Sequence, residues 1–205
     1  MKAIATIYSA SFDELDATQK AQAIDVMRNI ESQDATPYWG KEMTEQLKET
    51  LWNEYGVYNA DIQWQGFCSQ GDGASISTDY NIMIETFLRK CKVWSKFRSL
   101  HNHIKNDEIV MKVERTGHMY SHSNMVRGSV SFHWGVDYTP TQEAASEELE
   151  QYLTDKIREL SDKLYSDLSD ENDYHNSDEA LTDLINANDY HFEVLDGEVQ
   201  GLARN

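Results

Sequence analysis

The sequence predicts an α+β fold: an antiparallel sheet of four to six strands, helices packed on one side, and a long acidic C-terminal helix. Three observations carry this expectation. Short segments with period-two apolar alternation are joined by turns or by single helical stretches, with no strand–helix–strand rhythm of a parallel sheet. Several helix starts carry complete capping signals. A leucine-rich stripe with helical steps runs from Leu149 to Leu168. At 205 residues the chain fits one domain, 1–205, with 141–190 an acidic helical section packed on it.

Residues 2–8 read as a short strand or extended arm. Ser11 and Glu14 form an S-x-x-E capping box, which predicts a helix over 12–31. Thr36-Pro37 opens the next helix with a cap and a proline at its first position. Met43, Leu47 and Leu51 mark its buried stripe, and Gly56 ends it. Residues 57–67 alternate, with Tyr58, Ala60, Ile62 and Trp64 on one face of a half-buried strand. Ala74 to Thr78 is its hairpin partner. Asp79 caps a helix predicted to reach about residue 105, with Ile84, Phe87, Leu88, Cys91 and Trp94 as its stripe. Arg89, Lys92 and Lys96 share the polar side of that helix.

Two further strands follow, one carrying Ile109, Met111 and Val113, the other Val130, Phe132, Trp134 and Val136. Between them lies a loop over 117–127, rich in His, Met and Tyr and longer than most hairpin connections. Thr139-Pro140-Thr141-Gln142 starts the acidic helix with a cap, a proline and a T-x-x-Q box. Residues 170–176 read as a polar break, Ser177 caps a short helix to about 187, Tyr190, Phe192 and Val194 form a closing strand, and Asp196-Gly197 a turn.

The net charge of −18 is unevenly spread. Residues 89–127 hold 9 bases and 3 acids, whereas 141–200 hold 18 acids and 3 bases. A free nucleic-acid binder shows a net basic footprint, and only the middle segment could supply one. The acidic third serves solubility, imitates a phosphate backbone or engages a basic partner. Two cysteines, Cys68 and Cys91, imply no disulfide framework and fit a reducing compartment. The first ten residues lack the pattern of a secretory leader, and no apolar run approaches a membrane span, so a cytoplasmic protein is expected.

The most distinctive segment is the loop from Gly66 to Ser75, with three glycines in eight residues around Asp72. It has two readings. Asp-Gly is a strong hairpin-turn signal. Successive backbone N–H groups of a glycine-rich loop also form an anion-binding concavity. In the second reading Ser69, Gln70, Gly71, Asp72 and Gly73 hold a nucleotide or phosphate, aided by Arg89, Lys92 and Arg115. Asp72 and His122 are then the candidate catalytic pair. The segment is neither a Walker A loop nor a G-x-G-x-x-G helix start. His101, His103, His118, His122 and His133 lie in the basic middle, but no C-x-x-C or H-E-x-x-H spacing accompanies them, and no metal is expected. Asp170-Glu171-Asn172-Asp173 lacks EF-hand spacing and reads as a solvated acidic turn.

Residues Ala60 to Ser75, with the run Gly66-Phe67-Cys68-Ser69-Gln70-Gly71-Asp72-Gly73-Ala74, resemble the signature of a family of phage-encoded proteins that reads G-F-W-S-Q-G-D-G-A at this place. Cys68 stands where those relatives carry Trp. Ser177-Asp178-Glu179-Ala180, Asn188 to Phe192 and Asp196-Gly197 are similar to the family's closing segment, and Tyr120-Ser121-His122 to a third patch. The likeness spans residues 50–200. It implies a phage origin and, for some relatives, an antitoxin-like label; it implies no activity and no catalytic residue. The expectation is therefore an accessory protein of the host cytoplasm that binds and neutralises a host protein, nucleic-acid-binding proteins being one class of partner. The alternative is a binder or hydrolase of a small nucleotide-like ligand. No cofactor is expected under either reading.

Overall fold

The computed structural model describes residues 7–32, 37–67, 69–78, 82–117 and 119–203. The α+β class holds, but the strands form three small antiparallel sheets instead of one. The chain divides into two compact units, Met1–Trp39 with Asp170–Asn205, and Gly40–Ser169.

In the first unit, β1 (Ile7–Ser11) pairs with β6 (His191–Leu195), which pairs with β7 (Glu198–Leu202). The Asp196-Gly197 turn has positive φ at both residues, 51° and 88°, as a two-residue primed hairpin requires. β7 was not expected, because Gln200 and Gly201 weaken its alternation. The Ser11 box forms: the Glu14 carboxylate accepts from Ser11 N at 2.8 Å and from its hydroxyl at 3.0 Å. It closes only one 3₁₀ turn, Phe12–Glu14, because Leu15 is extended. A second cap then starts α1 (Ala17–Glu31). Asp16 accepts from Thr18 N and Gln19 N, and Gln19 Oε1 accepts from Asp16 N. The expected helix over 12–31 is thus two elements. α6 (Asp178–Ala187) starts at Ser177, whose hydroxyl accepts from Ala180 N. Phe12, Ala23, Met27, Leu181, Ile185, Phe192 and Val194 form this unit's core.

The second unit begins in α2 (Tyr38–Tyr55), which ends at Gly56. Its expected cap Thr36, like Asp79, Cys68 and His118, lies outside the described residues. β2 (Ala60–Gln65) and β3 (Gly73–Thr78) pair in the expected hairpin, Ala60 opposite Thr78. β2 alternates as its sequence implies, but β3 is buried at every residue, Ser75 and Ser77 included.

The helix expected over 79–105 is broken into α3 (Ile84–Lys90), a 3₁₀ stretch Trp94–Leu100 and α4 (His101–Lys105). The break is a Schellman motif: Lys92 N donates to Arg89 O and Val93 N to Leu88 O, with Lys92 left-handed at φ 60°.

β4 (Ile109–Arg115) pairs with β5 (Val126–Phe132), Ile109 opposite Phe132 and Arg115 opposite Val126. β5 therefore starts earlier than its expected apolar set. Trp134, expected inside it, is 100% exposed beyond its end. α5 (Pro140–His175) starts at the Thr139 box, where Gln142 N donates to the Thr139 hydroxyl and Thr139 N to Gln142 Oε1. Leu149, Leu153, Ile157, Leu164 and Leu168 are buried. The helix runs through 170–175 with no break, held at its end by Glu171–His175 and by Asn176 Nδ2 donating to Asn172 O. The acidic turn expected there is helical.

α5 also seals the edge of β5. Gly128 N donates to Thr154 Oγ1 at 2.9 Å, Val130 N to Glu150 at 3.2 Å, and Arg158 donates twice to Val126 O. A Cβ on Gly128 would sit 2.9 Å from Glu150 O, so helix and strand meet backbone to backbone. Covering an edge in this way prevents further strand pairing.

Candidate functional site

The loop between β2 and β3 folds on itself. Asp72 N donates to Ser69 O at 3.1 Å, and Ser69 N donates to the Asp72 carboxylate. The same carboxylate occupies the space a Cβ on Gly66 would need. The anion nearest these backbone groups is therefore the loop's own Asp72. Gln70 and Ser69 remain exposed.

The loop is joined to the Thr116–Met125 segment. Gly71, at φ 111°, lies against the ring of Tyr120, and no side chain fits between them. Ser121 N donates to Gly71 O at 3.2 Å. A Cβ on Gly73 would stand 2.5 Å from His122 Cα. The Tyr120 and His122 rings stack at 5.8 Å. Arg115 ties the joint together: Nη1 donates to Ser75 Oγ at 2.8 Å, Nη2 to Tyr120 O at 3.0 Å and Nε to Gly117 O at 3.3 Å. Three glycines at this place thus meet three needs of close approach, to Asp72, to Tyr120 and to His122.

The structure brings together Ser69, Gly71, Asp72, Gly73, Arg115 and His122. It does not bring Arg89 or Lys92 to them. Arg89 pairs with Glu85 at 2.7 Å and lies over the Trp94 ring, and Lys92 is the left-handed residue ending α3. Neither makes a hydrogen bond, ion pair or ring contact with Ser69–Gly73 among the described residues. Two other histidines of the basic middle have structural partners: His101 stacks on Trp94 at 3.7 Å, and His103 Nδ1 meets Glu108 at 2.7 Å. His122 Nδ1 differs, being buried without a hydrogen-bond partner. Among the described residues no three His, Cys, Asp or Glu side chains converge as metal ligands, and no helix is long and apolar enough to cross a membrane.

An aromatic wall beside the loop comes from other residues than the one at position 68. Phe67 stacks on Tyr165 at 5.6 Å and meets Trp64 at 5.9 Å. Trp64 lies on the backbone of α2 at Gly40, where a Cβ would come within 2.5 Å of the indole.

A second feature was not singled out from the sequence. An open groove of about 540 Å³ runs between α2 and the start of β2, lined by Glu42, Glu45, Lys48, Glu49, Trp52 and Tyr58 among others. The 3-4-3 spacing of Glu42, Glu45, Glu49 and Trp52 puts them on one stripe, away from buried Leu51. That spacing was the available signal.

No curated protein and no solved structure matches the chain. A domain family of unknown function, DUF8835, matches residues 39–178. The match brackets the Gly40–Ser169 unit, with its glycine loop, Arg115 joint and α2 groove, and the chain belongs to that family.

Proposed function

We propose that this chain is a phage-encoded accessory protein that binds and neutralises a basic host factor. The observation that carries the reading is the face of α5. Glu143, Glu147, Asp155 and Asp162 are exposed there and have no cationic partner among the described residues. Such a face attracts a cationic surface over a Debye length and speeds encounter. The phage-like motif around Gly66–Ala74 supports the origin. The test is capture from bacterial lysate on the immobilised protein. A basic partner should be retained at low salt, released at moderate salt and lost when the four α5 acids are neutralised to Gln or Asn. Recovery of no specific partner at low salt contradicts the reading.

A second reading keeps a nucleotide or phosphate at Ser69–Gly73. One observation favours it: the unpartnered Nδ1 of His122 beside Gly73. A tight ligand raises the melting temperature by mass action. No shift with a panel of nucleotides and cyclic dinucleotides removes this reading.

A further inference from the structure

We infer that the groove between α2 and the start of β2 is a docking site for a basic segment of a partner protein, with one arginine side chain seated against Trp52 and Tyr58. This rests on the reading of the chain as an acidic binding protein and gives that reading a specific contact.

Four observations lead there. Trp52 and Tyr58 are 46% and 52% exposed, so each offers ring surface to solvent. Their rings meet edge to face, with centroids 5.3 Å apart and planes at 67°, so together they make two walls of a corner. The groove beside them is large enough for several side chains. Its long wall carries Glu42, Glu45 and Glu49 against a single lysine, Lys48, which Glu45 already holds at 2.8 Å. Glu42 and Glu49 are thereby left for an incoming cation.

The chemistry selects arginine. A guanidinium is flat, stacks on an indole or phenol face, and can turn its N–H groups to a carboxylate while stacked. An ammonium is compact and strongly hydrated, and uses an aromatic corner less well. An anionic ligand is excluded by the carboxylates, and an apolar helix by their rim. The turn that sets Tyr58 against Trp52 includes Asn59 in a left-handed conformation at φ 48°, a position Asn tolerates better than most residues.

The test is fluorescence anisotropy with the full chain and dye-labelled hexa-arginine, with hexalysine as comparator. Trp52→Ala and the pair Glu42→Gln/Glu49→Gln should each weaken hexa-arginine binding about tenfold. The control pair Asp183→Asn/Glu198→Gln, two exposed acids that belong neither to the α5 face nor to the groove, should weaken it less than about threefold, and hexalysine should be insensitive to Trp52→Ala. The glutamate pair is on the surface, so it carries the test if Trp52→Ala fails to fold. If Trp52→Ala binds as wild type and both acid pairs weaken binding equally, the groove is not the site, although the acidic-binding reading survives. If arginine amide alone binds as tightly as the peptide, the occupant is a small molecule and the inference is overturned. If neither peptide binds wild type at low salt, the acidic-binding reading falls and this site falls with it.

Discussion

Arg115 on β4 donates through Nη1 to the fully buried hydroxyl of Ser75 on β3, 2.8 Å away and 40 residues earlier in the chain. With its bonds to Tyr120 O and Gly117 O, this one guanidinium joins two strands and one loop. Three of its five N–H groups are thereby held by protein acceptors, so the guanidinium serves the joint whether or not an anion also binds beside it.

Replacing Arg115 with Met should therefore reduce stability by about 2–3 kcal/mol, as for loss of hydrogen bonds to a charged donor. Ser75→Ala should cost about 1–3 kcal/mol, by leaving one donor without its acceptor. Urea denaturation measures both. An Arg115→Met midpoint equal to wild type would show that the joint contributes nothing.

Gly71→Ala should destabilise by about 1–3 kcal/mol, because a left-handed backbone and the Tyr120 ring both oppose a Cβ. The Gly197 position has open space around it, so Gly197→Ala should cost about 1 kcal/mol from backbone conformation alone. Adding Tyr120→Ala should recover part of the Gly71→Ala loss and nothing of the Gly197→Ala loss. A thermal-denaturation double-mutant cycle with no coupling between Gly71 and Tyr120 contradicts the packing described.

Much of this is legible in the sequence, and the rest depends on backbone stops and strand register that residue type does not mark. Thr139 and Ser177 start the helices expected of them, since side-chain capping is local, while the Ser11 box forms but closes only a 3₁₀ turn. Helix ends were read correctly where a glycine marked them, at Gly56. The ends near 105 and 187 are also legible, whereas the stop at Lys92 is not, although all three use the same Schellman motif. Lys92, Asp107 and Asp189 each take the left-handed position, with φ of 60°, 55° and 51°. In each, the next residue donates back to the third-last helical carbonyl: Val93 to Leu88, Glu108 to His103, Tyr190 to Ile185. Lys at such a position carries no stop signal. The glycine loop and its neighbour His122 are both legible in the sequence, whereas the close contact between them depends on the β4–β5 register, which alternation alone places too late. Arg89 and Lys92 were assigned to the loop from helical spacing on a helix that breaks between them.

The α5–β5 seam gives a third prediction. Thr154→Val keeps the shape of the side chain but strands Gly128 N, which should cost about 1–3 kcal/mol. Gly128→Ala should cost at least as much, since its Cβ meets backbone as well as Leu153. Hydrogen exchange at Gly128 reads the seam directly: protection should fall in Thr154→Val. Unchanged protection would place the bond elsewhere.

Cys91 provides a pH prediction. Burial pushes its thiol above the usual 9.0, offset only in part by the Tyr152 hydroxyl, and burial together with Cys91 pushes Tyr152 up to about 12. Both groups hold their protons more tightly folded than unfolded. The stability they contribute is complete below pH 9 and is lost as pH rises through the folded values. In a Cys68→Ser background, alkylation of Cys91 by iodoacetamide should rise with a midpoint above 9, and the melting temperature should fall from pH 9 upward. A midpoint at or below the usual 9.0 would contradict the burial described.

The central claim is that this family member binds cationic protein surface and that its glycine loop is a structural joint. One calorimetric comparison tests it: hexa-arginine and ATP titrated separately into the wild-type protein at low salt. The account predicts saturable heat with hexa-arginine, suppressed by added salt, and none with ATP. Saturable binding of ATP together with silence from hexa-arginine would contradict it.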